Sequence, residues 1–224
     1  FYGIQKFLDI IVFLITIWLF KGFRGAYNAT SIIVLLFCAV LLFFLKNINI
    51  RHDKLNQLFL SLTIPAIVPF LIVKLLFDLT PIGLVAVLLG RDPTLTGRTD
   101  LIWSELIPIA FQNPILGVGF GGFWNEPIFD FVINQAHNGY LDVFIELGII
   151  GIIILFFLLL FFFRKATYEY SYNKDWAILK IAFFFMIVLH NITETSYLRS
   201  TNLLWNIFIF LMIVSPKKRS DDKL

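Results

Sequence analysis

Hydrophobic positions in this chain come in long blocks, not in the alternation of a strand, and the polar positions are gathered between the blocks. Six blocks, about 7–20, 29–45, 58–77, 140–163, 177–196 and 203–214, are apolar enough to cross or nearly cross a bilayer. About 20 apolar residues of helix span a hydrocarbon core, and shorter spans are tolerated where flanking side chains snorkel or the bilayer thins. Residues 151–163 contain no polar side chain at all. The stretch 81–89 is apolar but too short to cross as a helix, which suits an interfacial or re-entrant piece. The pattern predicts an all-α protein: a polytopic transmembrane helical bundle of about six spans, one membrane domain over 1–224.

Composition strengthens this reading. Of 224 residues, 59% are hydrophobic and only 15% charged, more apolar than a soluble domain usually is. The chain opens on Phe1, so it is expected to be the C-terminal part of a longer protein. Segment 7–20 has the length of a signal-peptide core but no small-residue cleavage pattern after it, and it reads as one span among several. The lone Cys38 sits in an apolar run, where packing is the ordinary role. A net charge of +3 with no basic stripe gives no nucleic-acid partner.

The basic residues instead report orientation. Six crossings put the start, the loop at 46–57, the loop at 164–176 and the tail on one side, with eleven Lys and Arg; the other side holds five, namely Lys21, Arg24, Arg91, Arg98 and Arg199. The richer side is the cytoplasm by the positive-inside rule. The loop 90–139 then faces the periplasm. It is far longer than ordinary helix connections, and its aromatic content, including Trp103, Phe120, Phe123 and Trp124, argues against disorder. A short helix is expected at about 100–112, capped by Thr96 or Thr99 and ended by Asn113 and Pro114. The glycines at 117, 119, 121 and 122 suit tight turns; with no βαβ unit around them they do not make a dinucleotide site.

Among the three histidines, His52 belongs to a solvated charge run and His190 suits helix packing. No HExxH or paired CxxC is present, so neither a metal nor another cofactor is expected. His137 stands where the outer loop re-enters the membrane. An imidazole there can take a proton from a hydroxyl nucleophile, or it can serve only in capping and interface hydrogen bonding. Arg24 and Arg98 fall on the same side. A guanidinium at a membrane edge commonly anchors to headgroups, yet two of them beside a histidine suit an anionic, lipid-linked substrate.

Three segments together carry a resemblance: Gly97, Arg98, Thr99, Asp100, Leu101, Ile102 and Trp103; then Asn113, Pro114, Ile115, Leu116, Gly117, Val118, Gly119, Phe120 and Gly121; then Ala136, His137, Asn138, Gly139, Tyr140, Leu141, Asp142 and Val143, followed by Glu146, Leu147 and Gly148. In this order they resemble the O-antigen ligase and polymerase superfamily. The Gly122, Phe123, Trp124 segment is more similar to its exopolysaccharide polymerases than to its lipopolysaccharide ligases. The resemblance implies a GT-C-like, metal-independent glycosyltransferase, multi-pass in the bacterial inner membrane. Such an enzyme joins an undecaprenyl-diphosphate-linked oligosaccharide to a sugar acceptor on the periplasmic face, among membrane lipid and alongside other polysaccharide export proteins. It implies His137 as general base or acceptor-orienting group, and Arg98 and Arg24 as the groups that neutralise the departing diphosphate. Asn191, Ile192, Thr193 and Glu194 resemble the polar segment of a late family helix, so Glu194 is implied as a sugar-binding or arginine-pairing residue.

Two other functions compete: a transporter or flippase of lipid-linked glycans, and a non-catalytic envelope assembly subunit. A transporter should carry ionisable groups at mid-membrane and internal repeats with broken helices. Here the polar residues concentrate at the outer edge and no repeat is evident.

Overall fold

The structure is a computed structural model that describes residues 7, 10–11, 14–16, 18, 29–48, 54, 102–125 and 134–217. The described residues form helices and no strand: α1 (Ala29–Asn47), α2 (Ser104–Ala110), a 3-10 turn (Phe123–Asn125), α3 (Gly139–Glu169), α4 (Lys174–His190) and α5 (Leu203–Ile213). One of them, α3, is long and apolar enough to cross a membrane; Ser31–Asn47 and Leu203–Ile213 are shorter apolar helices. The expected span at 58–77 and most of that at 7–20 lie outside the described residues, as do Thr96, Thr99 and the loop between 126 and 133.

Asparagine starts three of these helices. Asn138 accepts from the backbone of Tyr140 and Leu141 at 3.1 Å each, Asn173 from Trp176, and Asn202 from Leu204. Each side-chain oxygen takes N–H groups that the first turn leaves without intrahelical partners. The apolar runs that follow then pair as neighbours. Helix α4 packs on both α1 and α3, with α5 against α4. Phe162 stacks on Phe208 with ring centroids 4.5 Å apart, Phe208 on Trp205 at 5.5 Å, and Phe163 lies against Phe184 at 5.0 Å. Cys38 is buried on α1 with its Sγ 3.5 Å from the Ala182 carbonyl of α4, a packing role.

The sequence block 177–196 is helical only as far as His190. Asn191 ends it. Its Nδ2 donates to the Ile187 carbonyl at 2.7 Å and to Ser196 Oγ at 2.6 Å, while its Oδ1 accepts from the backbone of Ser196 and Tyr197. All four hydrogen-bonding positions of that amide are used, so the chain turns where hydropathy alone would continue the helix.

Helix α3 is broken at Gly148, which has φ 62° and ψ −159°. In an unbroken helix the N–H groups of Ile149 and Ile150 would donate to the carbonyls of Ile145 and Glu146. Instead Ile149 and Ile150 donate to Pro114 and Ile115, at 2.8 and 3.3 Å, and the freed carbonyls of Ile145 and Glu146 accept from Val118 and Gly119, at 3.0 and 2.9 Å. The glycine-rich loop is thereby spliced into the break, and all four displaced backbone groups are satisfied, as apolar surroundings require. Only glycine fits: a Cβ on Gly148 would stand 2.3 Å from the Ile115 carbonyl oxygen, and one on Gly117 would stand 2.4 Å from the Glu146 carbonyl carbon.

The two ends of the bundle differ in chemistry. At the end formed by the C-termini of α1, α3 and α5, Lys174 Nζ donates to the carbonyls of Lys46 and Ile48, Lys165 Nζ to that of Met212, and Lys180 Nζ to that of Val214. Lys180 also pairs with Glu169 at 2.7 Å, both side chains about 1% exposed. The opposite end, where α3 begins and α4 finishes, holds His137.

Candidate functional site

His137 is built into a clamp. The residue before it, Ala136, is fully buried; its N–H donates to Asp142 Oδ1 at 3.0 Å, and its carbonyl accepts from Trp103 Nε1 at 2.8 Å. Two residues after it, the Gly139 N–H is shared between the carbonyls of Asn191 and Glu194 at 2.9 and 3.0 Å. A Cβ on Gly139 would lie 2.0 Å from Asn191 Oδ1, so glycine is required for this approach. Between these anchors His137 takes φ 52°, a left-handed conformation uncommon for residues other than glycine. Such conformations persist where the surroundings over-determine them, and they cluster at functional sites.

The imidazole faces Glu194. His137 Nδ1 lies 3.3 Å from Glu194 Oε2 and 3.4 Å from Gln135 Nε2, with the His137 and Glu194 side chains 31% and 20% exposed. An ionised carboxylate can only accept, so where Glu194 holds Nδ1 the proton sits on that nitrogen, the Gln135 amide cannot also donate to it, and Nε2 keeps its lone pair. The arrangement matches the histidine–carboxylate logic of acyl-transfer enzymes, in which the acid fixes the tautomer and steadies the imidazolium that forms. Glu194 lies in the turn after α4, not within a helix, and its carboxylate faces the His137 ring.

A second polar group adjoins the first. Asp142 and Glu146, one turn apart on α3 with side chains 4% and 6% exposed, both face Arg199, whose Nη2 is 3.6 Å from each. Beneath the turn, the Tyr197 hydroxyl donates to the Tyr140 hydroxyl at 3.2 Å, which donates to the Val188 carbonyl at 3.0 Å. Burial raises the pKa of Tyr197 well above that of a free phenol, so its hydroxyl stays a proton donor in this chain of bonds.

Of the four residues expected at the site, the structure brings together His137 and Glu194; Arg24 and Arg98 lie outside the described residues. Arg199, Asp142, Glu146 and Asn191 were not anticipated as parts of it. An acidic pair four residues apart at the start of a membrane-length apolar helix needs a buried cation, and Arg199 was one of the five basic residues placed on that side. His190, also near this end, is only partly buried and lies within electrostatic reach of Glu194. Among the described residues, no cluster of three or more His, Cys, Asp or Glu side chains is placed to hold a metal ion.

Residues 7–156 match the O-antigen ligase family; His137 and the spliced loop fall within that match, and Asn191 and Glu194 lie beyond it. The chain belongs to the O-antigen ligase family. It is also 33% identical over 78 residues to the exopolysaccharide production protein ExoQ of Rhizobium meliloti (strain 1021). That match covers 30% of this chain and 18% of the relative, so the chain spans a minor part of that protein's length. No solved structure matches the chain.

Proposed function

We propose that this chain is part of a metal-independent membrane glycosyltransferase of the polysaccharide polymerase or O-antigen ligase type, with His137 as the general base. The acceptor sugar hydroxyl approaches the free Nε2, which takes its proton as the oxygen attacks the anomeric carbon of a diphosphate-linked oligosaccharide. Glu194, on the far side of the ring, steadies the imidazolium. The carbon–oxygen bond to the diphosphate breaks, and the diphosphate leaves on its undecaprenyl carrier. Arg98 and Arg24 are assigned to the charge that develops there.

The observation that carries this reading is the approach of Glu194 to His137, a residue within the family-matched segment. Membrane residence and orientation have independent support. Helix α3 turns Ile154, Phe156 and Phe161 outward, each more than half exposed among the described residues, as a lipid-facing helix does. Lys46, Lys165 and Lys174 gather at the end opposite His137, which suits a cytoplasmic lysine-rich end and a periplasmic site.

Complementation of a polymer-deficient strain with the full-length protein tests the assignment. Loss of polymer with His137→Ala and with Arg98→Ala, at unchanged membrane levels of protein, is the expected result. Polymer retained at the wild-type level with His137→Ala removes the mechanism.

A further inference from the structure

We infer that Arg199 is a positioning residue: its positive charge, set between Asp142 and Glu146, holds the His137 arm and the glycine-rich loop in register with the turn that carries Glu194. This deepens the proposed function and rests on it, because what Arg199 positions is the His137 pair.

The geometry makes one guanidinium common to three segments. Asp142 uses Oδ1 to fix the Ala136 N–H, one residue before His137, and turns Oδ2 to Arg199. Glu146 accepts the Gly121 N–H of the spliced loop and turns Oε1 to the same guanidinium nitrogen. Arg199 itself extends from the turn that follows α4, five residues beyond Glu194. That turn is anchored independently of the arginine through Asn191. Arg199 follows Leu198, a residue at φ 58°, so the backbone there is held in a conformation that a leucine rarely adopts.

Charge decides between this role and a direct one. Two carboxylates, each under a tenth exposed, face a single guanidinium, so the group as a whole is negative when all three are ionised. With one or both acids ionised the group carries no net positive charge to offer a departing diphosphate, which argues for the positioning role over a direct one. Without the guanidinium the two acids would stand one helical turn apart as unpaired buried charges. One or both would take up a proton or turn toward water, releasing Ala136 or Gly121. At 3.6 Å the contacts are ion pairs and not hydrogen bonds, so the demand on this position is positive charge more than a particular donor geometry.

The test uses the full-length protein in a cysteine-free background, Cys38→Ser included, with His137→Cys and Glu194→Cys. A short bifunctional methanethiosulfonate joins the two thiols, and mass spectrometry of the linked peptide reports how well the arm faces the turn. Adding Arg199→Ala or Arg199→Gln should lower the yield severalfold, and adding Arg199→Lys should restore most of it. In the otherwise native protein, Arg199→Gln should cut polymer formation by about tenfold to a hundredfold, the scale of a misplaced catalytic group, and Arg199→Lys should recover it. Arg199→Gln keeps most of the side-chain volume, so it carries the test if Arg199→Ala does not accumulate. Wild-type crosslinking and polymer in Arg199→Gln overturn the inference, as does a Lys variant no better than Gln. If His137→Ala keeps its polymer while crosslinking still depends on Arg199, the positioning stands and the catalytic reading alone fails.

Discussion

His137 and Glu194 stand 57 positions apart and meet at 3.3 Å because α3 and α4 run antiparallel and the two residues flank the same end of the pair. The Gly139 N–H, shared by the carbonyls of Asn191 and Glu194, ties the strand of chain before α3 to the turn after α4. The side-chain contact therefore sits on a backbone contact, which limits how far either partner can drift.

The pair predicts a graded response at Glu194. Glu194→Gln keeps an oxygen that can accept from Nδ1 but loses the charge that steadies the imidazolium, whereas Glu194→Ala loses both. With general-base catalysis contributing about 10²–10⁴-fold, Gln should fall between wild type and Ala in the rate of polymer formation by membranes supplied with donor and acceptor. Equal rates in all three remove Glu194 from the mechanism.

Gly148→Ala should eject the spliced loop. The added Cβ meets the Ile115 carbonyl oxygen at 2.3 Å, and the residue must also hold a positive φ. A cysteine placed at Phe123, buried where the loop ends, should react faster with a membrane-impermeant maleimide in the Gly148→Ala background than in its absence. The melting temperature of the detergent-purified protein should drop as well.

Asn191→Ala should destabilise the protein by about 2–4 kcal/mol, since the buried backbone groups of Ile187, Ser196 and Tyr197 lose a partner and each unmatched group costs roughly 1–3 kcal/mol before relaxation. Thermal melting in detergent reads this directly. Because the same turn carries Glu194, His137 to Glu194 crosslinking should weaken in parallel.

At the lysine-rich end, Lys180→Met or Glu169→Leu alone strands a buried partner and should cost about 3–5 kcal/mol, while the two combined should recover most of that loss. Melting temperatures of the singles and the double close the cycle. Additive losses in the double variant would mean that the pair is not the reason for the destabilisation.

A reporter fused after Asn125, at the end of the 3-10 turn, should be active only in its periplasmic form. Cytoplasmic reporter activity there inverts the proposed orientation.

The sequence by itself determined the helical class, the apolar blocks that became α1, α3 and α5, the family through its ordered motifs, and His137 as a residue to watch. Those follow from local information: hydropathy, and short runs whose spacing survives in one dimension. It could not show that the glycine-rich loop replaces a turn of hydrogen bonds inside α3, because the donors and acceptors at Gly148 are exchanged with residues about 30 positions upstream. Nor could it show that Glu194 serves His137, that α4 stops at His190, or that Arg199 belongs beside Asp142 and Glu146. Those relationships exist only once antiparallel helices bring their ends together and burial makes each polar group find a partner.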